Sequence, residues 1–294
     1  MELKCFDLGT NSVLYLHVRI DSRHRLTPFE FRAFSPRLGK SLTRRTPAIS
    51  PRAQQETVSI IKKYISPRDN CLIAGTSALR EAKNTDDFVA LIHKKTGRRT
   101  IILSGHEEAR LIFCSVKHYM SPLPPKTIIC DIGGGSTEFI FAINGNVTKK
   151  ISIPAGAVRL TEKFGRDTAA ISLFVRSMIK PRIGFCLIGS GGTVTSLGAI
   201  SLGLSAYRPA LIHGLSLSYD KIYSISNKLK SLNLSEKKNL LPFDPSRADI
   251  ITAGSCILQT IMENYSASRI KICDRGLIYG LALNYHHYKS SGLI

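Results

Sequence analysis

Apolar positions follow two rhythms along this chain, and their alternation sets out its elements. Residues 3–20, LKCFDLGTNSVLYLHVRI, run apolar to Asp7, break at Gly9-Thr10-Asn11-Ser12 and resume with alternating apolar positions, which predicts strand, turn, strand. Residues 22–52 are punctuated by Pro28, Pro36, Pro47 and Pro51 and predict strands and loops. In 51–65, Val58, Ile61 and Ile65 fall at helical spacing behind a proline start, as in an amphipathic surface helix. Residues 70–84 (NCLIAGTSALREAKN) and 99–116 (RTIILSGHEEARLIFCSV) each predict a short strand, a small-residue turn and a helix. The pattern recurs at 126–143 as strand, glycine turn and strand, and at 185–200 as strand, Ser190-Gly191-Gly192-Thr193 and helix. Residues 153–164 predict a loop and helix start, 216–241 and 246–265 predict helices, and 269–283 a strand and a closing helix.

Mixed strands and helices of this kind predict an α/β protein. Asp7 and Asp131 each end an apolar strand before a turn, so one device opens each half of the chain. That duplication predicts two related lobes, 1–120 and 121–294, separated at the proline-rich SPLPPK of 121–126, with the last helix able to pack back on the first lobe. Two lobes facing each other across a phosphate-sized cleft are expected.

Composition narrows the class. An apolar fraction of 43% with 21% charged residues is that of a globular protein, and 294 residues suit two domains. Seven scattered cysteines without C-x-x-C indicate neither a disulfide framework nor a zinc site, and fit a reducing cytoplasm. The start MELKCFDLGTNS carries no basic region followed by an apolar core, and no apolar run approaches a membrane span, so no membrane partner is expected. Residues 1–119 hold 21 basic and 11 acidic side chains and residues 120–294 hold 20 and 10, so the net charge of +20 is spread over the chain. Such a field attracts polyanions: nucleic acid, inorganic polyphosphate or a highly phosphorylated nucleotide.

The candidate chemistry centres on KTIICDIGGGSTEFIFAI, 126–143. Gly133, Gly134 and Gly135 let the main chain approach a ligand, and their amides with the Ser136 and Thr137 hydroxyls can surround a tetrahedral anion. Asp131 and Glu138 are hard oxygen donors suited to Mg²⁺. Thr76 or Ser77 can cap the helix after Gly75, and Arg80 one turn in can fork two phosphate oxygens. Arg37, Arg44, Arg45 and Arg52 could guide an anion, although solvated charge is the commoner outcome. Glu107 and Glu108 share a first helical turn. Glu108 aligns with Leu111 and Ile112, Glu107 with Arg110, so Glu108 is the better general base. His213, His286 and His287 are read as ordinary surface or loop histidines.

On DLGTNS (7–12), GTSALREAKN (75–84), LSGHEEARLI (103–112), CDIGGGSTEFI (130–140), GSGGTVTSLGAI (189–200), SRADIITAG (246–254) and CDRGLIYGLAL (273–283), the chain resembles the exopolyphosphatase and guanosine pentaphosphate phosphohydrolase family. The resemblance implies two ribonuclease-H-like lobes, as in actin, sugar kinases and heat-shock chaperone ATPases. It implies Mg²⁺-assisted removal of a terminal phosphate from inorganic polyphosphate or, alternatively, from a phosphorylated guanosine nucleotide. Nucleic acid then ranks last among partners, a homodimer is allowed, and a non-catalytic polyanion-binding protein is the weaker reading. Glu108 looks like the base, Asp131 and Glu138, with Asp7, like the acids that hold Mg²⁺ or orient water. Asn11, Ser12, Thr76, Ser77, Arg80 and the 133–137 turn match the family's phosphate contacts. Cys273, Ile278 and Tyr279 depart from the serine, arginine and glutamate often found there. The chain also ends without the additional C-terminal helical domains of long members, which implies a short, two-lobed one.

Overall fold

The computed structural model describes residues 1–23, 25–40 and 47–294, so Arg44 and Arg45 lie outside the described residues. The chain divides into two compact units, Met1–Ser115 with Leu277–Ile294, and Val116–Gly276. The division falls inside a helix, ahead of the prolines at 122–125, and the closing segment groups with the first unit.

In the first unit β1 (Glu2–Leu8), β2 (Val13–Ile20) and β3 (Leu26–Phe34) form an antiparallel meander. β4 (Cys71–Gly75) joins β1 in parallel and β5 (Thr100–Ile102) joins β4, giving the order β3-β2-β1-β4-β5. The connections carry α1 (Pro51–Tyr64), α2 (Ser77–Glu81), α3 (Thr85–Thr96) and α4 (Gly105–Met120). Alternation along β1 sends Phe6 and Leu8 into a core with Tyr15, Ile61, Ile73 and Phe88. Leu3 and Cys5, on the other face, are equally buried because α12 (Leu277–Leu283) packs on β1 and β2 there. Gly280 of α12 meets α4 backbone to backbone: a Cβ on it would lie 2.2 Å from the Leu111 carbonyl oxygen. The short α13 (Tyr285–Ser290) follows.

The second unit repeats the plan. β6 (Lys126–Ile132), β7 (Thr137–Ile143) and β8 (Asn146–Ile153) form the meander. β9 (Cys186–Ser190) and β11 (Arg269–Ile272) extend it in parallel, and β10 (Ser216–Ser218) closes the edge antiparallel to β11. Its helices are α5 (Ala157–Phe164), α6 (Thr168–Met178), α7 (Gly191–Ser201), α8 (Pro209–Ile212), α9 (Tyr219–Ser231), α10 (Leu234–Leu240) and α11 (Ile251–Asn264). α11 runs through the core beside Phe139, Leu187 and Ile270. Five strands of each sheet follow one order, with β10 added at the edge of the second, and these mixed sheets with their helices are the α/β class expected from the repeated Asp turns.

The segment 216–241 departs from the expected helix. Its first three residues pair with β11, and Asn233 with Glu236 forms a reciprocal cap that starts α10 after the extended Leu232. Among the described residues no helix is long and apolar enough to cross a membrane.

Candidate active site

The glycine turn takes its shape from its carbonyls. Gly133 O accepts from Ala157 N at 2.9 Å, Gly134 O from Val158 N at 2.9 Å and Arg159 N at 3.1 Å, and Gly135 O from Arg159 Nε at 2.7 Å. In a trans peptide the N–H points opposite to the C=O. Tying three successive carbonyls to the start of α5 therefore turns the amides of Gly134, Gly135 and Ser136 away from it, and successive outward amides make an anion-binding concavity. Gly156 makes the approach feasible, because a Cβ there would lie 2.3 Å from the Gly134 carbonyl carbon and oxygen.

The first lobe holds a counterpart. Gly9 N donates to Ser12 O at 2.9 Å as Gly133 N does to Ser136 O at 3.0 Å. Thr10 O accepts from Gly39 N at 2.7 Å and Asn11 O from Arg37 N at 3.2 Å, so the Asn11 and Ser12 amides are likewise turned the other way. Asn11 Nδ2 donates to Ser12 Oγ at 3.1 Å, while its Oδ1 is buried without a hydrogen-bond partner among the described residues. Asp7, at the end of β1, is also buried.

Behind the second turn a polar row crosses four strands. Ser190, Asp131, Glu138 and Ser152 are successive partners on β9, β6, β7 and β8, so their side chains share one face, opposite Cys130 and Phe139 in the core. Ser190 Oγ donates to Asp131 Oδ2, and Ser152 Oγ donates to Glu138 Oε1 at 2.7 Å. Gly191, at φ +86°, lies where a Cβ would be 2.8 Å from Asp131 Oδ1. Burial pushes the Asp131 carboxyl above its ordinary pKa, against the Ser190 hydrogen bond. Two carboxylates side by side on one face, one of them desolvated, fit the needs of Mg²⁺, which takes one or two carboxylates and completes its shell with water and phosphate oxygens.

In the first lobe Ser104 starts α4: its Oγ accepts from Glu107 N at 3.1 Å and its carbonyl from Glu108 N at 2.9 Å. The two glutamates then part. Arg110 forks Glu107 through Nε at 3.0 Å and Nη2 at 2.8 Å, and Tyr288 adds a hydroxyl at 2.6 Å. The Arg110 fork, with help from Tyr288, draws the Glu107 carboxyl down to about 2. Glu108 is buried and accepts from Arg80 Nη1, which also donates to the Leu103 carbonyl at 2.6 Å.

Several expected donors have other employment. Arg80 holds Glu108, not an open fork, with Nη1 committed. Neither candidate caps α2: Ser77 donates to Glu81 at 2.8 Å, and Thr76 Oγ1 points to the Leu8 carbonyl at 3.4 Å. Thr137 is fully buried and gives its hydroxyl to the Ala155 carbonyl at 2.5 Å, so it braces the turn. His213 lies in the turn after α8, as a loop histidine, half-buried against Tyr119, and burial lowers its pKa. The structure adds residues that spacing did not single out. Arg247 stacks on the start of α7, where a Cβ on Gly192 would lie 2.2 Å from its Nη1, and Tyr207 donates to Asp274 near the same helix. Asp274 and Arg247 stand inside quoted motifs, but only the sheet order shows what they meet.

Two lobes of one plan, each with an acid near the end of its first strand followed by a tight turn, make up this α/β protein. A model of the Ppx/GppA phosphatase family matches residues 18–289, and the chain belongs to that family. It is 27% identical over 305 residues to a bifunctional 3-dehydroquinate synthase/phosphatase of Fusobacterium nucleatum, covering 94% of this chain but only 45% of that protein. Exopolyphosphatase 1 of Mycobacterium leprae is 27% identical over 96% of this chain and 89% of its own. A guanosine-5'-triphosphate,3'-diphosphate pyrophosphatase of Pseudoalteromonas atlantica is 30% identical over 74% of this chain and 45% of its own. The crystal structure of an exopolyphosphatase from Cytophaga hutchinsonii superposes with a TM-score of 0.85 at 20% identity, over 99% of this chain and 98% of that one, and shows the same fold.

Proposed function

We propose that the chain is an exopolyphosphatase that removes the terminal phosphate of inorganic polyphosphate. The observation that carries this reading is the turn whose Gly133, Gly134 and Gly135 carbonyls are tied back to α5 and Arg159, flanked by the neighbouring acids Asp131 and Glu138. The outward amides bind terminal phosphate oxygens and stabilise the charge that gathers on them as the anhydride bond breaks. Asp131 and Glu138 would hold Mg²⁺, with Asp7 of the first lobe as a further candidate, and the bound ion would neutralise phosphate charge and orient its oxygens. Glu108 takes a proton from the attacking water, and Arg80 fixes its carboxylate in one orientation. The leaving group is the shortened polyphosphate, which departs as a weakly basic phosphate and needs little help from an acid.

A +20 chain favours a long polyanion over a short one. The 30% identity to a guanosine-5'-triphosphate,3'-diphosphate pyrophosphatase supports the second reading, a guanosine pentaphosphate phosphohydrolase. Orthophosphate release from both substrates with Mg²⁺, comparing wild type with Glu108→Gln, tests the proposal. The expected outcome is faster release from polyphosphate and a loss of ~10² or more in turnover for the variant, with polyphosphate binding retained. Unchanged turnover in Glu108→Gln removes that residue from water activation, and preference for the nucleotide replaces the substrate.

A further inference from the structure

The first lobe holds a cavity of about 820 Å³ bounded by α3, β5, the start of α4 and the closing segment. The volume lies within the range of small-ligand sites, roughly 300–1,000 Å³. None of the residues given a phosphate or metal role lines it. Val89, Ile102 and Leu293 form an apolar wall on which Ile102 and Leu293 remain 43% and 49% exposed. β5 is the last strand of its sheet, and Leu103 N donates inward to Gly75 O at 2.9 Å. By alternation along a parallel ladder, the Thr100 and Ile102 peptide groups face the open edge. Thr100 Oγ1, also on the wall, is buried with no hydrogen-bond partner among the described residues.

Charge on the wall selects the guest. The exposed Arg99 spends one N–H on the Gly292 carbonyl at 3.3 Å and keeps further donors, with His93 and His287 beside the same space. Glu107 offsets little of this, because Arg110 and Tyr288 already hold its carboxylate. Asp86 sits in the first turn of α3, where exposed helix amides offset its charge. We propose that this cavity binds a small apolar anion, an aromatic or branched carboxylate or sulfonate, with its body on Val89, Ile102 and Leu293 and its charge on Arg99. The proposal is independent of the phosphatase chemistry above.

The test is a fluorescence titration of the full chain with 8-anilinonaphthalene-1-sulfonate, with stoichiometry from calorimetry and integrity from circular dichroism. Wild type should saturate at one site. Arg99→Glu and Ile102→Asp should each weaken binding about tenfold or more, a change of ~1.4 kcal/mol, while Leu173→Asp, at a 69% exposed leucine of the other lobe, should bind like wild type. If Ile102→Asp fails to fold, Arg99→Glu on the rim still decides. Non-saturating binding, unaltered affinity in Arg99→Glu, or an equal loss in Leu173→Asp overturns the proposal. So does a concentration-dependent dimer, dissolved by Ile102→Asp, that excludes the probe, since a second copy of the chain would then be the occupant.

Discussion

Asp274 and Glu107 are carboxylates with opposite histories, and each makes a prediction about acid. Burial pushes Asp274 up to about 6, with Tyr207 and Arg275 opposing the shift. Its folded value lies above its unfolded one of ~3.9, so the cost of charging it appears as pH rises between these values and is complete above about 6. Asp274→Asn, which still accepts from Tyr207, should therefore gain stability relative to wild type at pH 7.5, by roughly 1–3 kcal/mol, and little or none at pH 4; thermal melts across that range check it. Glu107 works in the other direction. Its folded value, about 2, lies below the unfolded one, so its contribution is present above pH ~4.3 and fades as pH falls toward 2. Glu107→Gln should flatten the acid limb of the melting curve. Parallel limbs for wild type and variant would show that the Arg110 fork adds no acid-sensitive stability.

At the level of elements, α5 and the glycine turn act as one piece, because the first amides of the helix are satisfied by the carbonyls of the turn. Gly156→Ala forces these apart. The expected cost is about 1–3 kcal/mol in stability, as for other overpacked sites, together with a raised KM for polyphosphate from a displaced row of amides. A stable variant with unaltered KM would separate turn from binding. Much of this architecture was legible in the chain: apolar runs ending in Asp7 and Asp131 gave the paired hairpins, and helical spacing separated Glu108 from Glu107. The employment of hydroxyls was not legible. Thr137 and Ser77 have the right composition for phosphate contact, but register and helix phase hand them to the Ala155 carbonyl and the Glu81 carboxylate. Ser190 was visible as part of a small-residue turn, while its hydrogen bond to Asp131 depends on β9 lying beside β6, a pairing between residues 59 positions apart.

For the whole molecule, the charge of +20 acts through salt. Screening lengths shorten from about 30 Å at 0.01 M to about 8 Å at 0.15 M, so a long polyphosphate that touches many cations should lose affinity steeply. Binding should fall about tenfold or more between ~50 and ~200 mM salt, and more steeply than for guanosine pentaphosphate, as counterion release predicts for the longer polyanion. Equal slopes measured by equilibrium titration would confine recognition to the terminal phosphates. The placement of residues 277–294 with the first unit has a temporal consequence. The second lobe is continuous in sequence and can condense before α12 is made, whereas β1 and β2, synthesised ahead of that lobe, stay bare on one side until α12 follows it. Of the two sheets, the one made first is thus completed second, and in a nascent chain stalled between them its apolar flank is the surface that a chaperone would shield.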